Sequence, residues 1–308
     1  MATVLAEERR HASPWRRVLR SEHTAGWALT SPAVVMFAVF SIFPIVWSIV
    51  LSFQDNNLLT GQAEWIGLKN YQALTKDPIF LKAIGNTLKY TAAFVPLSVV
   101  LGLFVAVAMN RKLRLMALYR TAVFITLAIS TISTAIMFLW LTEPTYGIVN
   151  AGLEKVGLPP QGFLADPNEA LWVIVAMTVW GWLGFVVIIY LAALQGIPQE
   201  LLEAAAIDGA GRWSTFRNVT LPLLGPATLF LVVWLTINAL QLFDEIYLTT
   251  HGGPLYSTTV IVYYLFIKAF HHFQAGLGAA AAYVLFVGIL LITIIQFWVG
   301  KRVVHYSS

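Results

Sequence analysis

The sequence EAAAIDGA at residues 203–210, with the Leu221-Pro222 pair that follows it, forms a polar, glycine-interrupted insertion between two long apolar runs. Residues 199–207 are rich in Glu, Leu and Ala, which favour helix formation. Gly209 permits the left-handed backbone conformation that ends a helix and reverses the chain. We therefore predict a rigid loop over about residues 198–222, built from a short helix and a turn.

The composition of the chain is that of a membrane protein. Of its 308 residues, 58% are hydrophobic and 11% are charged, whereas soluble domains carry about 25% charged residues. A span needs about 20 apolar residues, and six runs without Asp, Glu, Lys or Arg reach that length: 27–53, 90–109, 121–141, 170–195, 223–243 and 277–300. Backbone groups in lipid must be paired within their own segment, which favours helices. We predict an all-α polytopic membrane protein with six transmembrane helices.

The basic residues predict the orientation, because cytoplasmic loops are enriched in Lys and Arg. With the N-terminus inside, thirteen of the nineteen basic residues lie on the cytoplasmic side: Arg9, Arg10, Arg16, Arg17, Arg20, Arg111, Lys112, Arg114, Arg120, Arg212, Arg217, Lys301 and Arg302. Both termini are therefore predicted to be cytoplasmic. Residues 1–22 form a basic tail in this interpretation, and residues 23–308 form the six-helix domain.

Two further patterns predict the ends of helices. Asn86 and Thr87 stand just before the second apolar run and are typical of a helix cap. After the fifth run, the Gly252-Gly253-Pro254 sequence stops a helix through its free φ angles and its missing amide donor. The apolar stretch 259–267 that follows is too short to span. We predict that it forms a re-entrant or interfacial helix buried against protein.

The insertion resembles the EAA coupling loop of binding-protein-dependent ABC importer permeases. That family has Glu-Ala-Ala, then Asp-Gly-Ala, then a hydrophobic residue and Leu-Pro at fixed spacing. This chain matches at Glu203, Ala204, Ala205, Asp208, Gly209, Ala210, Phe216, Leu221, Pro222 and Pro226. The resemblance implies that Glu203 pairs with a basic residue of an ATPase, while Trp213 and Phe216 help to fill a cleft there. The alternative is an ordinary surface helix-turn-helix between two spans.

A second segment resembles the carbohydrate class of these permeases, the MalF-like sugar and glycerol-phosphate permeases. That class carries Thr-x-Gly-Gly-Pro, a threonine soon after, and an aromatic-rich helix that ends in Ala-Phe. This chain matches at Thr250, Gly252, Gly253, Pro254, Thr258, Tyr263, Tyr264, Ala269 and Phe270. The resemblance covers the chain from about residue 27 to Tyr306. It marks Gly252, Gly253, Pro254 and Thr258 as a gate or re-entrant segment.

The resemblance implies a type I ABC importer permease fold in the cytoplasmic membrane of a bacterium or archaeon. The expected partners are a second homologous permease, two copies of an ABC ATPase, an extracytoplasmic solute-binding protein and the lipid bilayer, but no nucleic acid. The sequence has no Gly-x-x-x-x-Gly-Lys-Ser/Thr phosphate loop. We therefore expect no catalytic residue, metal or cofactor on this chain, with ATP and Mg²⁺ bound by the ATPase subunits.

The implied function is ATP-driven uptake of a carbohydrate by alternating access. The candidate substrates are a mono- or oligosaccharide, a polyol or sn-glycerol 3-phosphate. Two alternatives stay open at this stage. One is a permease for a non-sugar solute, such as an amino acid, a peptide or an ion. The other is a channel or proton-coupled carrier that acts alone, which would need no coupling loop.

Polar side chains at membrane depth indicate the substrate pathway, because they are costly there unless they serve a function. Asn238 and Gln241 are three residues apart, so they share a face of the predicted fifth span, and Asp244 continues that face three residues on. Amides and carboxylates bind sugar hydroxyls, and aromatic rings pack on sugar C–H faces. The predicted pathway comprises Asn238, Gln241, Asp244, Tyr247, Trp180 and Trp182. The alternative is hydrogen bonding between spans, or an interfacial cap.

The orientation can be tested with single cysteines, because the native chain has none. Cysteines at Ser13, Leu113 and Ser307 should resist a membrane-impermeant thiol reagent in intact cells and react after permeabilisation. A cysteine at Gln161 should react in both conditions. Labelling at Ser13 or Leu113 from outside intact cells would overturn the six-span topology.

Overall fold

The computed structural model describes residues 22–59, 61–110 and 115–303. The predicted basic tail over residues 1–21, the loop residues 111–114 and Tyr306 lie outside the described residues, as do the labelling sites Ser13, Leu113 and Ser307. The described part is helical except for one short hairpin and its connecting loops. The predicted all-α class is confirmed.

Helices follow one another along the described chain, with the hairpin between the second and the third. The helices are α1 Glu22–Phe37, α2 Phe43–Ser52, α3 Lys69–Lys76, α4 Pro78–Met109, α5 Met116–Phe124, α6 Thr131–Leu141, α7 Ile148–Lys155, α8 Ala170–Gln195, α9 Gln199–Ile207, α10 Arg212–Thr215, α11 Leu221–Leu223, α12 Gly225–Leu240, α13 Asp244–Leu248, α14 Ile261–Phe266 and α15 Ala275–Val303. The strands β1 Gln54–Asn56 and β2 Ala63–Trp65 form an antiparallel hairpin. Short 3-10 or π turns are Ala38–Ile42, Ile125–Leu127, Phe163–Ala165, Phe216–Thr220 and Ile267–His271.

Six segments of the described chain are long and apolar enough to span a membrane when each bent helix pair is counted once. Four are single segments: Gly26–Ser52, Pro78–Met109, Ala170–Gln195 and Ala275–Arg302. Two are bent pairs: Met116–Leu127 with Thr131–Leu141, and Arg212–Leu223 with Gly225–Leu240. The predicted number of spans is confirmed, but the second, third and fifth differ from the prediction in form.

The second span begins earlier than predicted. Helix α4 has 32 residues and starts at Pro78, which occupies the favoured first helical position. The Asp77 carboxylate caps this helix, since its Oδ1 accepts the N–H groups of Ile79 at 2.8 Å and Phe80 at 3.3 Å. The prediction that Asn86 and Thr87 cap the span is wrong, because both lie inside α4.

The third span is broken rather than continuous over residues 121–141. Its two halves meet at an angle of 100°. The first half ends in the 3-10 turn Ile125–Leu127, and Ser130 then caps a new helix by accepting the N–H of Ser133 at 3.2 Å. The Thr126 hydroxyl accepts the backbone N–H of Gly184 in α8 at 3.2 Å. Polar side chains therefore bond the backbone at the break, which a count of apolar residues does not reveal.

The fifth span also differs from the predicted helix over residues 223–243. It bends by 61° between α11 and α12, and α12 ends at Leu240 with Gln241 as its C-cap. Phe243 adopts a non-helical backbone before α13 begins at Asp244. The prediction that Asn238, Gln241 and Asp244 share the face of one helix is therefore wrong.

Helix α4 forms the centre of the bundle, where it packs along α8 and α12. Gly102 of α4 lies against Val186 of α8, and a Cβ atom at Gly102 would come within 2.3 Å of the Val186 Cγ1 atom. Small residues allow helices in a membrane to approach this closely. The buried core around this crossing includes Tyr90, Phe94, Ile174, Val186, Tyr190, Leu231 and Leu235.

The short helix predicted over residues 259–267 is confirmed as α14 with the following π turn Ile267–His271. Its residues Ile261, Tyr263 and Tyr264 are buried. Helix α14 packs against α15 and α4. The segment is therefore covered by protein, as irregular backbone at membrane depth requires.

The N-terminal end of α4 is bound to α14 through Asp77. The Tyr264 hydroxyl donates to Asp77 Oδ2 at 2.7 Å, and Lys268 Nζ lies 3.3 Å from the same oxygen. Burial alone would raise the pKa of the Asp77 carboxyl. The hydrogen bonds from Tyr264, Ile79, Phe80 and Lys268 outweigh burial and hold that pKa below its ordinary value of 3.8. The ionised carboxylate therefore stabilises the fold, and this contribution is lost as the pH falls through the lowered pKa.

We predict that Asp77→Ala lowers the free energy of unfolding by about 1–3 kcal/mol at pH 7, because it removes the cap and the bond from Tyr264. Asp77→Asn should cost less, since the amide retains an acceptor oxygen and loses only the charge. The measurement is thermal unfolding of the purified protein at pH 7 and at pH 3. The difference between wild type and Asp77→Asn should shrink at pH 3.

The matched control is Glu154→Gln, which removes a charge from an exposed carboxylate and should leave the stability at pH 7 unchanged. An Asp77→Asn deficit that stays constant between pH 7 and pH 3 would contradict the role assigned to the ionised carboxylate.

Candidate functional site

The predicted coupling loop begins with α9, which spans Gln199–Ile207. The helix ends in a Schellman motif: the Ala210 N–H donates to Ala205 O at 2.9 Å and the Gly209 N–H to Ala206 O at 3.1 Å. Gly209 has φ +75°, the left-handed conformation that the motif requires. Ala204 and Ala205 lie within the helix, Asp208 is its C-cap, and Ala210 follows the turn.

The loop exposes large apolar side chains. Ile207 is 86% exposed and Trp213 is 71% exposed. Trp213 stacks on Phe216 with ring centroids 5.7 Å apart. The exposed Glu203 accepts a hydrogen bond from Gln199 Nε2 at 2.8 Å, one turn earlier on the same helix. A rigid turn with uncovered aromatic and aliphatic side chains has the features of a docking surface.

Four of the six predicted pathway residues line one cavity despite the break in the fifth span. Asn238, Gln241 and Asp244 surround a cavity of about 250 Å³ together with Trp182 of α8 and Glu245 of α13. The other lining residues are Tyr90, Phe94, Thr131, Ala239, Leu242 and Phe243. These residues therefore reach one cavity although the helix ends at Leu240 and a new helix begins at Asp244.

The amides in this cavity do not join neighbouring spans. Asn238 Nδ2 donates to Trp234 O at 2.8 Å, within its own helix. The Gln241 side chain is exposed to the cavity and makes no hydrogen bond to the described residues. Two amide oxygens and the second Asn238 N–H are thus available to a solute. The alternative that these residues only connect helices is not supported by their contacts.

Two predicted pathway residues lie elsewhere. Tyr247 packs on Phe243 and Phe266, with ring centroids 5.4 and 5.5 Å away. Trp180 packs on Phe138 at 6.0 Å. Because Trp180 and Trp182 are two residues apart on α8, they point in different directions, and only Trp182 reaches the cavity. The structure does not bring Trp180 or Tyr247 to this site.

A second cavity of about 200 Å³ adjoins the first and shares Thr131, Trp182 and Glu245 with it. Its other lining includes Thr126, Thr134 and Thr178. Sequence reasoning missed Glu245 and the threonines of the broken third span. The Asp-Glu pair directly after the fifth apolar run was the available signal for Glu245, since ionisable groups at membrane depth are functional by default.

The Gly-Gly-Pro segment lies at a third cavity, of about 670 Å³. Thr250, Gly253 and Pro254 line it opposite Trp140 and Tyr146. The fully buried Thr258 holds the segment in shape, with its Oγ1 atom 2.6 Å from Thr250 Oγ1 and 2.7 Å from Gly253 O. Gly252 has φ +79°, and a Cβ atom there would lie 2.6 Å from Thr259 Oγ1.

Comparison with known proteins identifies the family. The model of the binding-protein-dependent transport system inner membrane components matches residues 98–305, more than half of the chain. The chain belongs to this family. As a permease of an ABC importer, it is a multi-pass membrane component of the transporter.

Individual relatives cover nearly the whole permease. It is 36% identical to the probable ABC transporter permease protein YesP of Bacillus subtilis, over 95% of each chain. It is 34% identical to the lactose transport system permease protein LacF of Rhizobium radiobacter, over 90% of this chain and 94% of LacF. A chain of a bacterial ABC transporter involved in the import of the acidic polysaccharide alginate superposes with a TM-score of 0.84 and 25% identity, covering 94% of this permease and 99% of that chain. The predicted family and fold are confirmed.

We predict that Gly209→Val uncouples transport from ATP hydrolysis, because a β-branched residue cannot adopt φ +75° without strain of about 1–3 kcal/mol. Gly211→Val is the matched control. Neither glycine has an atom within 4 Å of an added Cβ, but Gly211 has φ −68° and ψ 164°, which valine adopts readily. Substrate-stimulated ATPase activity is measured in reconstituted transporter, and equal stimulation in both variants would contradict the requirement for the left-handed turn.

Proposed function

We propose that this permease is the membrane pathway of a carbohydrate ABC importer that works by alternating access. The observation that carries the proposal is the cavity of about 250 Å³, where Asn238, Gln241 and Asp244 face Trp182. Amides and a carboxylate bind hydroxyl groups by donating and accepting hydrogen bonds. An indole face packs on the C–H surface of a sugar ring. The relative LacF is named as a lactose transport permease, and lactose carries both hydroxyl groups and C–H surfaces.

The coupling loop supports an assembly in which separate ATPase subunits hydrolyse ATP and dock on this permease. In the proposed assembly, a second homologous permease completes the pathway, and one copy of an ABC ATPase docks on the coupling loop of each permease. ATP and Mg²⁺ bind to the ATPases, and a solute-binding protein delivers the carbohydrate from outside. The exposed Ile207 and Trp213 supply the apolar contact to the ATPase, and Glu203 supplies a charge beside them.

Orientation follows from the position of this loop. If the loop docks on a cytoplasmic ATPase, Arg212 and Arg217 within it lie inside the cell. The parity of six spans then places both termini on the same side. The same parity places the hairpin β1–β2, the Gly-Gly-Pro segment and the cavity of about 670 Å³ at the outer face, where the solute-binding protein would dock.

The role of the cavity amides is tested with Gln241→Leu and Asn238→Ala. Loss of a hydrogen bond to a bound hydroxyl costs about 1–3 kcal/mol, which corresponds to roughly a 5- to 150-fold loss in transport efficiency. Carbohydrate uptake and subunit assembly are measured separately in the purified transporter. Gln195→Leu is the matched control, because Gln195 is exposed at the C-terminal end of α8 and lines neither cavity. Uptake per assembled transporter that matches this control in both variants would remove the two amides from the pathway.

A further inference from the structure

The polar cavity contains two adjacent carboxylates, and the combined charge of this pair is not needed for the hydrogen bonding to hydroxyl groups proposed above. Asp244 and Glu245 open helix α13 and line the cavity of about 250 Å³. Glu245 also lines the adjoining cavity of about 200 Å³, so one carboxylate faces both. The Glu245 residue is part-buried and the Asp244 residue is exposed to the cavity.

Neither carboxylate has a cationic partner among the described residues. In the ranges 22–59, 61–110 and 115–303, the salt bridge between Lys268 and Asp77 is the only one, and neither of its residues lines either cavity. None of the described Lys, Arg or His side chains lines either cavity. The remaining lining consists of apolar, aromatic, amide and hydroxyl groups. The two cavities therefore carry a net negative charge when the carboxylates are ionised.

Negative charge in a narrow, protein-lined space acts on the charge of a solute. Low-dielectric walls strengthen the field of fixed charges and raise the local concentration of the opposite charge. A phosphate or uronate group in this space would meet two like charges without a cation to offset them. Neutral hydroxyls would meet good hydrogen-bond acceptors, and an ammonium group would be attracted.

We propose that Asp244 and Glu245 form a charge filter that admits neutral and cationic carbohydrates and rejects anionic ones. This inference rests on the proposed carbohydrate function and narrows it. The filter predicts a neutral or cationic substrate, in contrast to the acidic alginate that the transporter of its structural neighbour imports. Among the candidate substrates, it disfavours sn-glycerol 3-phosphate. Glu245 lines both cavities, so its charge acts on a solute in either of them.

The field in the cavity is measured with a reporter cysteine and methanethiosulfonate reagents of opposite charge. Thr131 lines both cavities and Gln241 lines one, and both are exposed. Cysteines are placed at each in turn, in the purified detergent-solubilised transporter at pH 8. At each cysteine, the rate with the cationic reagent is divided by the rate with the anionic reagent. At the two reporters this rate ratio should be about tenfold higher than at a reference cysteine that replaces the exposed outer Leu158.

Removing one charge should reduce this preference. Glu245→Gln is expected to lower the rate ratio about threefold at both reporters, whereas Glu245→Asp keeps the charge and should keep the ratio. Asp244→Asn provides a second, independent reduction if Glu245→Gln does not assemble. A ratio at Thr131 and Gln241 equal to that at Leu158, or a ratio unchanged by both charge-removing variants, would overturn the charge filter.

The charge of the solute is tested with the solute-binding protein that delivers to this permease. Calorimetry with maltotriose, a chitosan trimer and trigalacturonate compares neutral, cationic and anionic probes of similar length. Binding of maltotriose or the chitosan trimer supports the proposal, and binding of trigalacturonate alone overturns it. If none of the three binds, the thiol rates alone decide the charge filter, whichever other carbohydrate the importer carries.

Discussion

The structure depends on one constraint: a backbone N–H or C=O group at membrane depth needs a partner inside the protein. This permease interrupts its helices around residues 128–130 and 241–243, on either side of the two polar cavities. Ser130 and Thr126 bond backbone N–H groups at the first interruption. The polar cavities form between these two interruptions. A bundle of six uninterrupted helices would have had no comparable collection of polar groups in its interior.

Local turn chemistry is the most predictable part of the molecule. Gly209 predicts a left-handed turn because almost no other residue accepts positive φ without cost, and the spacing of the EAA pattern fixes where the turn falls. Apolar run length likewise predicts the number of spans. These properties are carried by a few consecutive residues, so they do not depend on what lies across the bundle.

The geometry of the cavity is less predictable because it depends on contacts between distant segments. Helical spacing would place Asn238, Gln241 and Asp244 on one face of a continuous helix. In the structure they line one cavity for a different reason, because the helix ends at Leu240 and a new helix begins at Asp244. Glu245 and Thr131 are far apart in the sequence, and only packing brings them to the same cavities. The break in the third span is hidden from the sequence because Ser and Thr can pair with the backbone either within a helix or at its end.

The segment around Gly252 is bonded to the second span, and these bonds have a mechanical consequence. Asn86 Nδ2 donates to Tyr256 O and Thr259 O, each at 2.9 Å, and Lys82 Nζ donates to Leu255 O at 2.7 Å. At the opposite end of the same helix, Arg120 Nη2 donates to Met109 O at 3.3 Å. A helix of 32 residues is about 48 Å long. Lys82 and Asn86 lie about 35–40 Å from the Met109 end of this helix, at 1.5 Å per residue. A tilt of about 5° around that end would therefore carry these residues, and the segment bonded to them, sideways by about 3 Å. The Gly252 segment and this end of the second span would move together.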